Sequence, residues 1–210
     1  RIVADENGSI QGPAEELWGY TVPSAGDWDD DGYPDIMLNS IWGEVVWYPN
    51  PGVSGATELG FQSPVLVNWG GTPPKPAWQW WDPQPGEWCT QWRSTVQMID
   101  YNFDGLLDAA ALDYEGYLVL HIRSDNGSSL ELSPGQRIFL DANSQPLRLN
   151  SLDAGQSGRR KFELTDWDND GDWDLIVDDP DHGENVSLYE NITDNNSPQL
   201  VLRDALADVI

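Results

Sequence analysis

A single cysteine, Cys89, in 210 residues excludes an internal disulfide framework, so whatever staples this chain is not a disulfide. Basic residues are also scarce: ten Lys and Arg stand against 36 Asp and Glu, a formal net charge of -26. Such a surface repels phosphate backbones and anionic lipid, which excludes nucleic acid and membrane surfaces as general partners and favours cations. No apolar run approaches the ~18 residues of a spanning helix, so no membrane insertion is expected. The chain opens at Arg1 with neither Met nor a signal-like segment, and a soluble, mature or excised product is expected. Sustained helical periodicity is missing too. The one stretch that approaches it, "SPQLVLRDALAD" near the end, reads better as strand by its register with earlier segments.

Core material, by contrast, is plentiful. Hydrophobic residues make up 39% of the chain and include 12 tryptophans, enough for one sizeable core or two small ones. Three acidic stretches share one pattern, D-x-[DN]-x-D-G-x-x-D: "DWDDDGYPD" at 27–35, "DYNFDGLLD" at 100–108 and "DWDNDGDWD" at 166–174. The spacings are 73 positions from Asp27 to Asp100 and 66 from Asp100 to Asp166, a period of about 70. Each loop is preceded by a strand-like run ("YTVPSAG", "STVQMI", "KFELT") and followed by an apolar one ("DIMLNS", "DAAALD", "DLIVDD"). Two further runs follow in each repeat: "EVVWYPN" and "FQSPVLV", "YLVLHIR" and "RIFLDA", "VSLYENI" and "QLVLRDA". Four strands per repeat and an all-β chain are predicted.

The chemistry of the loops follows from their spacing. Side-chain oxygens at positions 1, 3, 5 and 9, with a backbone carbonyl at position 7, surround a hard cation, and glycine at position 6 supplies the sharp turn. The predicted ligands are Asp27, Asp29, Asp31 and Asp35; Asp100, Asn102, Asp104 and Asp108; and Asp166, Asp168, Asp170 and Asp174. Tyr33, Leu106 and Asp172 lend carbonyls. Calcium suits six to eight oxygens in flexible geometry better than magnesium does, and no His or Cys lies in a loop to recruit zinc. An EF-hand shares this first half but needs a bidentate Glu at position 12, where this chain has Leu38, Ala111 and Val177. Three solvated acidic turns without metal are the bland alternative.

Strand, acidic loop, apolar strand and two more strands at this period resemble the FG-GAP or VCBS type of repeat, found in β-propellers including the integrin α-subunit head. The copies cover about 18–68, 90–142 and 157–205. The resemblance implies four-stranded antiparallel blades with their first strands innermost, one Ca2+ in each of the three loops, and an extracellular, secreted or cell-surface setting. It implies less about activity, because such blades serve adhesion proteins, lectin-like modules and some polysaccharide lyases. Propellers close with about four to eight blades, and this length gives about three. The rest of the ring is expected from a longer chain or from another chain; the remaining option, an open stack, leaves edges that natural sheets avoid.

In that arrangement the face away from calcium collects Arg93, Arg159 and Arg160, with turns containing Trp42, Tyr114 and His182. Arginines there would hold carboxylates of acidic sugars bidentately, or else pair with acidic neighbours of their own chain. A Trp- and Pro-rich insertion at 69–92 carries six tryptophans and five prolines. Trp78, Trp80, Trp81 or Trp88 would stack on sugar rings, pack between blades or face a protein partner. His121, in "YLVLHIR", reads as a strand residue. A lyase acting on uronic acids needs a base and a cation, roles that His182 or Tyr114 and Arg159 would fill. Two functions follow: a calcium-stabilised module binding glycans or a protein, which is preferred, and the catalytic propeller of a lyase acting on acidic polysaccharide.

Overall fold

The computed structural model describes residues 2–4, 22–39, 43–52, 59–61, 65–67, 84–91, 93–123, 132–150, 160–179 and 185–205. Among them there are thirteen strands and no helix. In chain order these are β1 (Ile2–Ala4), β2 (Pro23–Gly26), β3 (Asp35–Asn39), β4 (Val45–Tyr48), β5 (Leu59–Phe61), β6 (Val65–Leu66), β7 (Val96–Ile99), β8 (Asp108–Leu112), β9 (Leu118–His121), β10 (Phe162–Thr165), β11 (Asp174–Asp179), β12 (Asn185–Asn191) and β13 (Leu200–Ala205). The expected all-β class is what the structure has, as three antiparallel sheets ordered β2-β3-β4-β6, β7-β8-β9 and β10-β11-β12-β13. A separate parallel pair joins β1 to β5, with Ile2 opposite Leu59.

The second repeat departs from the expected four strands. Its fourth run, "RIFLDA", is not a ladder strand; residues 132–148 follow the sheet through single bridges, Arg123 to Leu132, Leu120 to Gln136 and Tyr117 to Arg148. Pro134 supplies no N–H, and Gly135 passes so close to β9 that a Cβ there would lie 2.6 Å from His121 Nε2. Further on, Leu140 turns to the third sheet, donating to Pro198 O at 2.9 Å and accepting from Leu200 N at 2.7 Å.

Alternation decides how the sheets stack. Met37, Val45 and Trp47 of the first sheet pack against Val96, Met98, Ala109 and Ala111 of the second. The other face of the second sheet, Ala110, Leu112, Leu118 and Leu120, packs against Phe162, Leu164, Leu175 and Val177 of the third. The second sheet is therefore covered on both faces, and the small residues of β8, all fully buried, suit that position.

The first strand of each repeat, β2, β7 or β10, is an edge of its own sheet, and the three edges meet. Side chains of one edge satisfy the peptide groups of the next. Met98 N donates to Ser24 Oγ at 2.9 Å and Phe162 N to Thr95 Oγ1 at 3.3 Å. Gln97 acts as a surrogate peptide: its Oε1 accepts from Leu164 N at 2.7 Å and its Nε2 donates to Leu164 O at 2.9 Å. Open edges are thereby paired without extending a ladder. Gln97→Ala is expected to leave both Leu164 groups unpaired and to cost about 1–3 kcal/mol. The urea midpoint reads this directly, and an unchanged midpoint would show that water substitutes for the amide.

Candidate metal centre

Each acidic loop joins the first strand of a sheet to the second, and the three are built alike. Position 4 takes a left-handed conformation, with φ of 60° at Asp30, 60° at Phe103 and 64° at Asn169. Position 6 is glycine with φ of 92°, 91° and 95° at Gly32, Gly105 and Gly171. This region costs an L side chain energy and glycine almost nothing. The turns are drawn around carboxylates. Asp27 accepts from the N–H groups of Asp31 (3.0 Å) and Gly32 (2.8 Å), and Asp100 from those of Asp104 (3.0 Å) and Gly105 (3.1 Å). At position 5, Asp31, Asp104 and Asp170 accept from the N–H two residues on, at 2.9, 2.9 and 3.0 Å.

The ninth residue has a second task. Asp35, Asp108 and Asp174 are at most 1% exposed. One oxygen of each accepts from position 2 of its own loop, the N–H of Trp28 (3.0 Å), Tyr101 (3.2 Å) or Trp167 (2.9 Å). The other accepts from the chain leaving the third strand, at Asn50 (2.7 Å), Arg123 (2.8 Å) or Asn191 (2.8 Å). These aspartates pin loop to sheet as well as facing the loop interior.

The remaining carboxylates converge. Ligand atoms of Asp27, Asp29 and Asp35 lie within 4.8 Å of one another, and so do those of Asp166, Asp168 and Asp174. In the second loop Asn102 replaces the carboxylate at position 3, and its Nδ2 donates to Asp104 Oδ2 at 2.9 Å. Asp29 Oδ1 and Asp166 Oδ1 are inaccessible to solvent and have no hydrogen-bond partner. A cation held by these groups satisfies both, so the donor set fits a hard metal ion. Ionisation is correspondingly resisted. Burial raises Asp29, with Asp35 and Asp31 adding to it. Burial followed by Asp170, Asp174 and Asp168 pushes Asp172 up to about 6. Asp108 also reaches about 6, chiefly by burial and against the N–H of Arg123.

The residues expected on the opposite face do not all lie at the surface. Arg160 is buried and donates to Asp178 O at 2.7 Å. Trp88 is buried as well, its ring 4.4 Å from that of His121, which is the packing role among the alternatives its stretch offered. Arg93 is half-buried, with φ of 56°, and its carbonyl accepts from Lys161 Nζ. Tyr114 is half-buried in the turn after β8; burial, then Glu115 and Asp113, push its phenol above the ordinary value. Trp42, Trp78, Trp80, Trp81, Arg159 and His182 lie outside the described residues. Arg123 and Asn195, which tie neighbouring loops together, lie outside the motif, and Trp173, which does the same, fills its unspecified eighth position. The available signal was a spacing: the N–H donor to the ninth aspartate lies 15, 15 and 17 residues beyond it.

His121 is a core residue, as its strand context suggests. It is buried, its Nδ1 is 2.9 Å from Ser133 O, and burial lowers its pKa from 6.5 to about 4. The unfolded chain takes up this proton near pH 6.5, whereas the folded chain resists it down to about 4. This contribution is therefore intact above pH 6.5 and is lost as pH falls through that window, by about 3 kcal/mol in all. Urea unfolding at pH 7 and 4.5, compared between the parent and His121→Leu, isolates it. Equal pH dependence in the two proteins would remove His121 from the account.

Comparison with family models, with curated proteins and with solved structures finds no match. What the site supports is thus argued from its own geometry: an all-β scaffold carrying two acidic triads able to hold metal ions.

Proposed function

We propose that this chain is a calcium-stabilised, propeller-type binding module, its three sheets acting as blades and each acidic loop taking one Ca2+. The observation that carries the reading is the threefold repetition of one loop, with the same left-handed residues and the same double bond at the ninth aspartate. Stacking supports blades. Position 11 of the first two repeats, Met37 and Ala110, is fully buried against the next sheet. Ile176, its counterpart in the third, is only partly covered, and Trp167 is 49% exposed where Trp28 is 1% and Tyr101 3%. The forward face of the third sheet is the one a further blade would cover, from the same or another chain.

Calcium at extracellular levels fills even sites of 10⁻⁴–10⁻³ M affinity, which supports a secreted or cell-surface setting. A glycan or protein ligand would engage the tryptophan-rich insertion, with Arg93 and Arg159, while Trp88 and Arg160 are buried. Calorimetric titration with calcium is the test. Three ions per chain, with magnesium binding more weakly, are expected, and no calcium-dependent heat would defeat the reading.

A further inference from the structure

Between the second and third sheets, on the side of the acidic loops, lies a cavity of about 700 Å3. That is within the range of small-ligand sites, about 300–1,000 Å3. One wall is apolar, made by Leu120 and Ile122 at the end of β9 and by Ile138 from the segment that follows the sheet. At the rim stands Phe103, 64% exposed but fixed in orientation, its ring stacked on Trp173 at 5.4 Å and 16°. Trp173 is stacked in turn on Tyr101, at 6.4 Å and 28°. A large ring displayed in this way offers contact area with little freedom left to lose.

The other wall is polar, and most of its amides and hydroxyls are already engaged. Asn102 Nδ2 donates to Asp104 Oδ2 at 2.9 Å. Asn195 accepts from Trp173 N at 2.8 Å and donates to Gly171 O at 3.2 Å. Thr193 Oγ1 donates to Ser197 O at 2.8 Å and accepts from Gln199 N at 3.0 Å. Two carboxylates are not so occupied. Asp172 Oδ1 has no hydrogen-bond partner, and Asp194 receives Asn196 N (2.8 Å) and Ser197 N (3.1 Å) on Oδ1 alone. Among the described residues no Lys, Arg or His lines the cavity.

We infer that this cavity binds an organic cation: a guanidinium or ammonium group on an apolar stem, as in an arginine or lysine side chain. The stem lies against Leu120, Ile122 and Ile138, while the head meets the carboxylates of Asp172 and Asp194 with the face of Phe103 beside it. A neutral sugar fits less well, because ring hydroxyls need acceptors and donors together and the donors of this wall are largely taken. Anions are repelled by the lining and by the formal charge of -26, and the same field draws cations in. The inference goes beyond the calcium reading and stands without it. An ion in the third loop would take Asp170 and the carbonyl of Asp172, leaving the side chains of Asp172 and Asp194.

The probe is N-acetyl-arginine amide, followed by NMR of the parent protein near neutral pH, with calcium and with EDTA. Saturable shifts are expected at the Trp173 indole N–H, bonded to Tyr101 O at 3.0 Å, and at the backbone of Phe103 and Asn195. The citrulline analogue, alike in shape but uncharged, should bind about tenfold more weakly or worse. The same loss is expected for the arginine probe with Asp172→Asn plus Asp194→Asn, in which Asn keeps an acceptor for the Asn196 and Ser197 N–H groups. Phe103→Asn, which gives the second loop the residue of the third at this left-handed position, should weaken binding about two- to fivefold. Added salt should weaken it further. Equal affinity for the citrulline probe, affinity unchanged in these variants, or unsaturable shifts scattered over the acidic surface overturns the proposal. Binding confined to EDTA would put the cation in an emptied loop and overturns it as well. Binding in the cavity by a protein that takes up no calcium supports the proposal and defeats the calcium reading alone.

Discussion

Replacing Asp174 by alanine is expected to cost about 3–5 kcal/mol of folding stability even in excess EDTA. Asp174 is 1% exposed and its two oxygens accept from Trp167 N at 2.9 Å and Asn191 N at 2.8 Å. Alanine strands two N–H groups that had a charged acceptor, at about 1.5–3 kcal/mol for each bond lost. Asp168→Asn provides the contrast. That residue is exposed and its oxygen accepts only the local N–H of Asp170 at 3.2 Å, so its loss should matter with calcium and hardly at all without it. Urea unfolding of both variants, with calcium and with EDTA, makes the comparison. If Asp174→Ala is as mild as Asp168→Asn in EDTA, the ninth aspartate does no more than face the ion.

Chelation of the parent protein should have the largest effect of all. At calcium near 100 times Kd each site adds about 2.7 kcal/mol, so three sites together add about 8 kcal/mol. For a chain of this size that corresponds to a fall in Tm of roughly 15–30 °C on adding EDTA. Part of the effect is charge: three ions would take the formal net charge from -26 to about -20 and relieve repulsion concentrated in the loops. Magnesium should restore less, since it demands a tighter octahedral shell and gives up water reluctantly. Scanning calorimetry checks both points, and a shift under about 3 °C would overturn calcium as the staple.

The loops were legible because their chemistry is local. Within nine residues the spacing of Asp27, Asp31 and Gly32 dictates both the turn and the oxygens that line it, and the same bonds recur at Asp100; the third loop repeats the left-handed residues and the ninth aspartate, but there Asp170 N donates to Asp168. Strands next to the loops were legible for a similar reason, as a short apolar run starts directly after the ninth aspartate. Long-range choices were not. Nothing near Ile2 announces a parallel partner 57 positions away at Leu59. Trp88 and Arg160 have the same composition whether they face water or a neighbouring sheet; only the Trp88–His121 contact and the Asp178 carbonyl decide it. Arg123 was missed because its partners, Trp28 and Asp108, are 95 and 15 residues away.

The stacking of the sheets also sets an order of events. The second sheet has a neighbour on both faces, whereas among the described residues each outer sheet shares one face with it. In a linear array of this kind, stability is a sum of nearest-neighbour terms, so an end unit detaches with one interface lost and the middle unit only with two. Opening should therefore run inward from the outer sheets, with β8 the last segment to admit water. Local melting of an outer sheet would empty its own loop first, giving the chain partly unfolded states that differ in how many ions they hold.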